Sequence, residues 1–202
     1  MAQNSIKVLI AGDSFAARWP DEVFGWVNYL ERQYNVINIA QAGVGEYKIL
    51  EQIKSVNLND FDLVIVSHTS PSRVHTPNHP LHKNGFHKDC DLIYTDLESH
   101  SSFFNTSLNT AKNWFRHHYD ETYQIDIYNL IRKEINAIIN IPYISLTHID
   151  VATRLSIEQD NIDFSDLWKK QRGDVNHYTE TGNRVIFKIV SEKIKSKFKE
   201  KE

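Results

Sequence analysis

Short apolar runs alternate with segments of helical spacing along the first third of the chain. The runs 6–11, 36–40 and 62–67 are bounded by glycine or polar residues, which is typical of buried strands. Between them, the segments 21–33 and 47–55 carry apolar side chains three and four residues apart, as amphipathic helices do. This alternation predicts a parallel sheet that is covered by helices on both faces.

The same alternation returns in the second half of the chain. Helical spacing covers 108–118 and 121–139, and 142–146 forms a fourth strand-like run. The segment 179–198 predicts a closing helix, whose buried stripe is Val185, Ile186, Ile189, Val190 and Ile194. We therefore expect an α/β fold, a three-layer α/β/α sandwich with a mostly parallel sheet, in one domain over residues 1–202.

Two stretches of the chain show neither a strand-like apolar run nor helical spacing of apolar residues. The first covers about residues 70–106 and is rich in His, Pro, Asn, Ser and Asp, and the second runs from about 148 to 173. Irregular segments of this length are uncommon inside compact domains and are often functional. We expect the first stretch to be an insertion that lies over the edge of the sheet, in the position of a lid.

The composition is ordinary for a soluble protein and narrows the possible partners. Hydrophobic residues make up 41% and charged residues 24% of the 202, and the net charge of −3 does not suggest a nucleic-acid partner. No apolar stretch approaches the roughly 20 residues of a membrane helix, and residues 1–5 lack the features of a signal peptide. Cys90 is the single cysteine, so no intrachain disulfide is possible. We expect a cytoplasmic protein without a membrane partner, and the oligomeric state stays open.

Three candidate site residues follow the first three predicted strands. Ser14, Gly43 and Thr69 lie just past the ends of the runs 6–11, 36–40 and 62–67. In open α/β sheets, ligands bind in the crevice outside the carboxyl ends of the strands. If these strands are adjacent, the three loops meet at one crevice.

The chain also supplies the groups that nucleophilic catalysis needs. A serine hydroxyl such as that of Ser14 attacks a carbonyl only when a general base takes its proton, and His177 is a candidate base. Asp174, three residues before it, can orient the imidazole and stabilise its protonated form. The backbone N–H groups of Ser14 and Gly43 are candidate donors to the oxyanion.

This ordered set of residues resembles a known family. Gly12-Asp13-Ser14, the loop glycine Gly43 and the pair Asp174-x-x-His177 ahead of a last helix resemble the GDSL-type hydrolases of the SGNH fold. The likeness covers about residues 5–70 and 172–195. It implies a flavodoxin-like sandwich, a triad of Ser14, His177 and Asp174, and an oxyanion hole that includes Gly43.

The chain departs from that family in its third block. The family has Gly-x-Asn-Asp there, with an asparagine that donates to the oxyanion, whereas this chain has Ser67-His68-Thr69-Ser70. A hydroxyl and an imidazole N–H can each donate one hydrogen bond. We therefore predict that Thr69 or His68 takes the place of the asparagine.

Two charged residues next to these loops are predicted to bind substrate. They are Asp13, beside the serine, and Arg73, which follows the third strand. An arginine can hold a carboxylate or phosphate through two parallel hydrogen bonds. The alternative for Arg73 is that it bonds backbone carbonyls of its own loop, and the sequence favours neither role.

The insertion also contains potential zinc ligands, namely His75, His79, His82, His87 and Cys90. Their spacing matches no tight finger pattern, and Pro77 and Pro80 prevent a helix that would align them. We therefore predict surface histidines in a polar loop, with no metal and no cofactor.

These features lead to one main hypothesis about function. It is a serine hydrolase that cleaves a small-molecule ester through an acyl-enzyme, and the polar insertion favours a small acyl or acetyl group, as on a carbohydrate. One alternative is an acyltransferase that uses the same Ser/His/Asp site. Two others are a non-catalytic binding module that keeps the fold and a metal-dependent hydrolase that uses the histidines of the insertion.

Overall fold

The computed structural model describes residues 6–19, 24–101, 103–149, 161–173 and 177–199. In this part of the chain five strands form one sheet with the order β2-β1-β3-β4-β5. Every neighbouring pair is parallel. The strands are β1 Lys7–Gly12, β2 Asn35–Asn38, β3 Leu63–His68, β4 Tyr143–Thr147 and β5 Asn161–Asp163.

Seven helices lie between and after these strands in the described ranges. They are α1 Trp26–Leu30, α2 Glu46–Lys54, α3 Tyr94–Glu98, α4 Thr106–His118, α5 Glu121–Ile138, α6 Ser165–Lys170 and α7 Glu180–Lys199. Helices cover both faces of the parallel sheet, which confirms the predicted three-layer α/β/α fold class. None of the described helices is both long and apolar enough to cross a membrane.

The two faces of the sheet build separate cores because side chains alternate along each strand. On one face, Ile10 of β1 shares a core with Trp26 of α1 and Ile186 of α7. On the other face, the next residue along β1 toward the N-terminus, Leu9, shares a core with Ile49 of α2. Since both faces of β1 are buried, its sequence is a continuous apolar run rather than an alternating one.

Three short elements depart from the sequence prediction. The stretch 148–173 is predicted to be irregular, but it contains β5 and α6. The predicted helix 21–33 is present only as α1, because the chain turns after Leu30, whose carbonyl accepts from the N–H groups of Gln33 and Tyr34. Residues 21–23 of that prediction lie outside the described residues.

The predicted stripe of α7 is wrong at two positions. Ile186, Val190 and Ile194 are fully buried, whereas Val185 and Ile189 are each 37% exposed. The three buried residues are four apart and lie along one line of the helix, which faces the sheet. Val185 and Ile189 are each turned by about 100° around the helix axis from this line, toward the exposed side.

The insertion is mostly irregular, as the sequence predicts, but it carries its own small core. It contains α3 and a 3-10 turn at Gly85–His87. Leu97 of α3 packs in a cluster with Leu108 and Phe115 of α4, separate from the two cores on the sheet. An antiparallel bridge between Val74 and Leu92 closes the loop on itself.

Candidate active site

A cavity of about 520 Å³ opens where the loops after the strands meet the insertion, and its size is typical of small-molecule sites. Ser14, Gly43 and Arg73 line it from the loops after β1, β2 and β3. Asp13 and His177 line it as well. The structure thus brings five of the predicted residues together, whereas the predicted triad acid, Asp174, lies outside the described residues.

Ser14 lies in a tight turn that begins directly after β1. The carbonyl oxygen of Asp13 accepts the N–H of Ala16 at 3.1 Å, and its Oδ1 accepts the N–H of Phe15 at 3.0 Å. The turn also needs Gly12, which has a φ of +154° and at which a Cβ would lie 2.6 Å from a backbone oxygen of β3. These contacts fix the serine at the end of a buried strand.

His177 lies among aromatic rings next to the serine loop. Its ring centroid is 4.2 Å from that of Trp19 and 5.5 Å from that of Phe15. Nε1 of Trp19 donates a hydrogen bond to the carbonyl oxygen of Ser14 at 3.1 Å. One indole therefore contacts the histidine and holds the backbone of the serine.

The Gly43 loop is held by the insertion. Gly43 has a φ of +76°, and a Cβ on it would lie 2.6 Å from Cβ of Cys90. Its carbonyl oxygen accepts from the N–H of Asp91 at 2.9 Å and from Nη1 of Arg73 at 3.0 Å. The carboxylate of Asp91 in turn accepts the N–H of Gly45 at 2.6 Å. These bonds set the direction of the two peptide groups that follow the glycine.

Thr69 is buried behind the cavity, and its hydroxyl is already engaged. Oγ1 accepts from Nε of Arg73 at 3.2 Å and hydrogen-bonds the carboxyl group of Asp13. The backbone N–H of Thr69 points to Oε2 of Glu46 at 3.3 Å. The predicted third oxyanion donor is thus turned toward Asp13. Arg73 bonds a backbone carbonyl, as its second predicted role has it, but this carbonyl is that of Gly43 in the loop after β2 and not one of its own loop. Arg73 also lines the cavity.

The structure does not bring the ring of His68 to the cavity. Its Nδ1 lies 2.5 Å from Oε1 of Glu46, and its Nε2 lies 3.1 Å from the hydroxyl of Tyr143. The residue is 1% exposed. Because both ring nitrogens bond within the core, we remove His68 from the candidate oxyanion donors.

Asp13 is a buried carboxyl group beside the nucleophile candidate. Its burial raises the pKa of Asp13 from 3.8 to about 6, although the charge of Arg73 and the hydrogen bonds from Phe15 and Thr69 oppose this shift. Folding therefore favours the protonated form of Asp13. The carboxyl bonds the Thr69 hydroxyl, whose oxygen also accepts from Arg73.

The shifted pKa of Asp13 makes stability depend on pH. Because the folded pKa lies above the unfolded one, its stabilising contribution is complete below pH 3.8 and is lost as the pH rises through about 6. Asp13→Asn removes the titrating group, so the variant should not lose this contribution as the pH rises. The free energy of unfolding of the variant minus that of the wild type should therefore increase by about 2–3 kcal/mol from pH 4 to pH 7. Urea titrations across this range measure the difference. Asp166→Asn, which removes an exposed carboxylate, is the matched control for the change of charge. The same pH dependence in both variants, or no pH dependence of the difference for Asp13→Asn, would contradict the prediction.

His148 does not line the cavity but packs behind Phe15, which does, and the sequence analysis missed it. It follows β4 directly and is fully buried, with its ring stacked on Phe15 at 4.7 Å. Its Nδ1 lies 3.0 Å from the hydroxyl of Tyr178. Burial lowers the pKa of His148 to about 3, so the neutral ring supports Phe15. His148 lies just past the carboxyl end of β4, as Ser14 lies just past β1. The position at a strand end, which selects Ser14 as a candidate, therefore also selects His148.

Trp168 and Arg172 form a further wall that the sequence did not predict as a pair. Both line the cavity, and Cζ of Arg172 lies 4.9 Å from the centre of the Trp168 ring. Trp168 belongs to α6, and Arg172 follows that helix. The sequence predicts packing rather than a site position for Trp168 and gives Arg172 no role, because its pattern does not reveal α6.

The histidines of the insertion differ in exposure. The prediction of a surface position is wrong for His79, which is 3% exposed, and burial lowers the pKa of His79 to about 4. His82, His87, Cys90 and Asp96 line the same cavity as Ser14. The insertion therefore contributes one side of the candidate site.

The described residues place a serine hydroxyl, an imidazole and a glycine loop around one cavity. These are the groups that acyl transfer through a covalent intermediate requires. No protein family model matches this chain, and no curated protein matches it either.

Proposed function

We propose that this protein is a serine hydrolase that cleaves an ester, with Ser14 as the nucleophile and His177 as the general base. The observation that carries the proposal is that these two residues, from opposite ends of the chain, line one cavity beside the positive-φ glycine Gly43. The resemblance of the same residues to GDSL-type hydrolases of the SGNH fold supports it. In this proposal Asp174 orients His177.

The reaction proceeds in two halves. His177 takes the proton of the Ser14 hydroxyl while Oγ attacks the carbonyl carbon, and the carbonyl oxygen becomes an oxyanion. The intermediate collapses, the alkoxide leaves with the proton from His177, and the acyl group stays on Ser14. Water then attacks the acyl-enzyme with His177 again as base, and the carboxylic acid product and the free serine are released.

Two backbone N–H groups, those of Ser14 and Gly43, stabilise the oxyanion in this proposal. The fixed direction of the Gly43 loop supports this role, because preorganised donors are the ones that lower the barrier. The hydroxyl of Thr69 is held by Asp13 and Arg73. Loss of one oxyanion donor typically lowers kcat by about 10²–10³, so we expect slower turnover than an enzyme with three donors.

The walls of the cavity favour a polar substrate. Arg172, His82 and Asp96 present charged or polar groups, and Trp168 presents an aromatic ring. A small acyl group carried by a polar alcohol suits such a lining better than a long apolar chain does. We therefore propose an acetylated or similarly acylated carbohydrate as the substrate class.

A fluorophosphonate probe tests the nucleophile directly, because it phosphonylates only activated serines. The wild-type protein should be labelled at Ser14, and mass spectrometry of the digested protein locates the site. Ser14→Ala should lose the label completely. His177→Ala should slow labelling at least about a hundredfold, since general-base catalysis typically contributes about 10²–10⁴.

Ser70 provides a matched control, because it lines the same cavity and its hydroxyl lies 2.7 Å from that of Ser72. Ser70→Ala should keep the label of the wild type. Circular dichroism of each variant verifies folding. Label on Ser70, or none on folded wild-type protein, would refute the assignment of Ser14.

A further inference from the structure

We propose that the insertion binds one zinc ion through His79, His82 and Cys90, on the wall of the cavity. Each of these residues offers one ligand atom, and the three atoms lie within 4.8 Å of one another. Zinc bonds of about 2.0–2.3 Å in tetrahedral geometry hold ligand atoms about 3.3–3.8 Å apart. The three ligand atoms therefore have to move closer together before they can bind one ion.

The buried ring of His79 is the second observation that points to an ion. Its side chain is fully buried, and Nε2 has no hydrogen-bond partner among the described residues. The nearest carboxylate oxygen, Oδ2 of Asp96, is 3.7 Å away. Buried polar atoms are almost always satisfied, so this Nε2 needs an explanation, and the one we propose is that it binds an ion after losing its proton.

Metal binding changes the position of protons in this cluster. Nδ1 of His79 accepts from the backbone N–H groups of Leu81 and His82, each at 3.2 Å, so the ring proton resides on Nε2. When Nε2 binds zinc, that proton moves to Nδ1, where it faces the N–H groups of Leu81 and His82. The turn at these two residues must therefore move away from the ring, and the metal–nitrogen bond offsets the loss of both hydrogen bonds. The thiol of Cys90 releases its proton to solvent and binds as thiolate.

The ligand types favour zinc over harder cations. Two imidazoles and a thiolate suit zinc, whereas Mg²⁺ and Ca²⁺ prefer sets of oxygen ligands. Asp96 adds a negative charge, since its Oδ2 lies 2.9 Å from Nε2 of His82. Asp96 or a water molecule is the candidate for the fourth ligand, and a carboxylate beside a ligating histidine is common at such sites.

The zinc site connects to the Gly43 loop through Cys90. The Cβ position of Gly43 would lie 2.6 Å from Cβ of Cys90, so the two backbones are in close contact. An ion that holds Cys90 to His79 and His82 fixes the insertion against this loop. Binding itself does not depend on the proposed ester hydrolysis, and it is measured without any substrate.

Equilibrium dialysis of the full chain against zinc, followed by elemental analysis, tests the site. After removal of metal by a chelator, the wild type should take up one zinc per chain from micromolar solution. Cys90→Ser and His82→Asn should each weaken binding at least tenfold. With Co²⁺ as the probe, the wild type should show a thiolate-to-cobalt absorption band that Cys90→Ser lacks.

The control is His75→Asn, which removes an exposed histidine of the same insertion outside the cluster and should bind zinc like the wild type. His82 is half-buried, so His82→Asn tests the site even where Cys90→Ser disturbs folding. Zinc at about 100 times its Kd should raise the wild-type Tm by about 5–10 °C. No zinc uptake by the wild type, or equal uptake by all four proteins, would overturn the proposal.

Discussion

Gly43→Ala should lower the free energy of unfolding by about 2–5 kcal/mol and slow fluorophosphonate labelling of Ser14 at least tenfold. Two effects contribute to this loss in the free energy of unfolding. A φ of +76° is unfavourable for alanine, and the new Cβ would lie 2.6 Å from Cβ of Cys90. Because the Gly43 loop must shift to relieve this contact, its N–H moves away from the position proposed for the oxyanion. Urea unfolding and the labelling rate measure the two effects.

Gly85→Ala is a closely matched control for this substitution. Gly85 has almost the same φ, +74°, but a Cβ there meets nothing within 4 Å. Gly85→Ala should lower the free energy of unfolding only through backbone strain, by about 1–2 kcal/mol. The rate of fluorophosphonate labelling of Ser14 should not change. Equal losses of stability in the two variants would show that Cys90 moves aside for the new Cβ of residue 43, and that the insertion does not hold the Gly43 loop in place.

The fold was predictable where the sequence pattern was long or strongly apolar. β3 has no exposed residue and stands out as a continuous apolar run, and α5 spans 18 residues with a clear helical period. β5 has three residues and α6 has six, which is too few for a period to be recognised. Their position depends on pairing with β4 and on packing, which are tertiary effects.

The site was predictable as far as it follows from the ends of strands. Ser14 and Gly43 lie where the loops after β1 and β2 reach the cavity, as expected from the order of the strands. The contacts of Thr69 could not be predicted, because its partners Asp13 and Arg73 come from two different loops. The burial of His79 likewise depends on how the insertion packs, and a polar sequence predicts exposure instead.

Asp91 is the clearest case of a charged residue that composition rules place on the surface and the structure places inside. It is 1% exposed. Its carboxylate accepts from the N–H groups of Gly45 at 2.6 Å and Thr76 at 2.9 Å, and it pairs with Nζ of Lys48 at 2.9 Å. Nδ1 of His75 lies 3.3 Å from Oδ1 of the same carboxylate. This one carboxylate therefore joins the insertion, the Gly43–Gly45 loop and α2.

Asp91→Ala should lower the free energy of unfolding by about 3–5 kcal/mol, because two backbone N–H groups lose their acceptor and Lys48 loses its counter-charge, keeping only the carbonyl oxygens of residues 76 and 89. Asp91→Asn should cost less, since its amide oxygen still accepts. Asp89→Ala, at an exposed aspartate two residues away, should change stability by no more than about 0.5 kcal/mol. Urea unfolding compares the three variants with the wild type. If Asp91→Ala loses no more stability than Asp89→Ala, the insertion is not anchored by this carboxylate, and the rigidity we ascribe to the Gly43 loop must come from Arg73 and Cys90 instead.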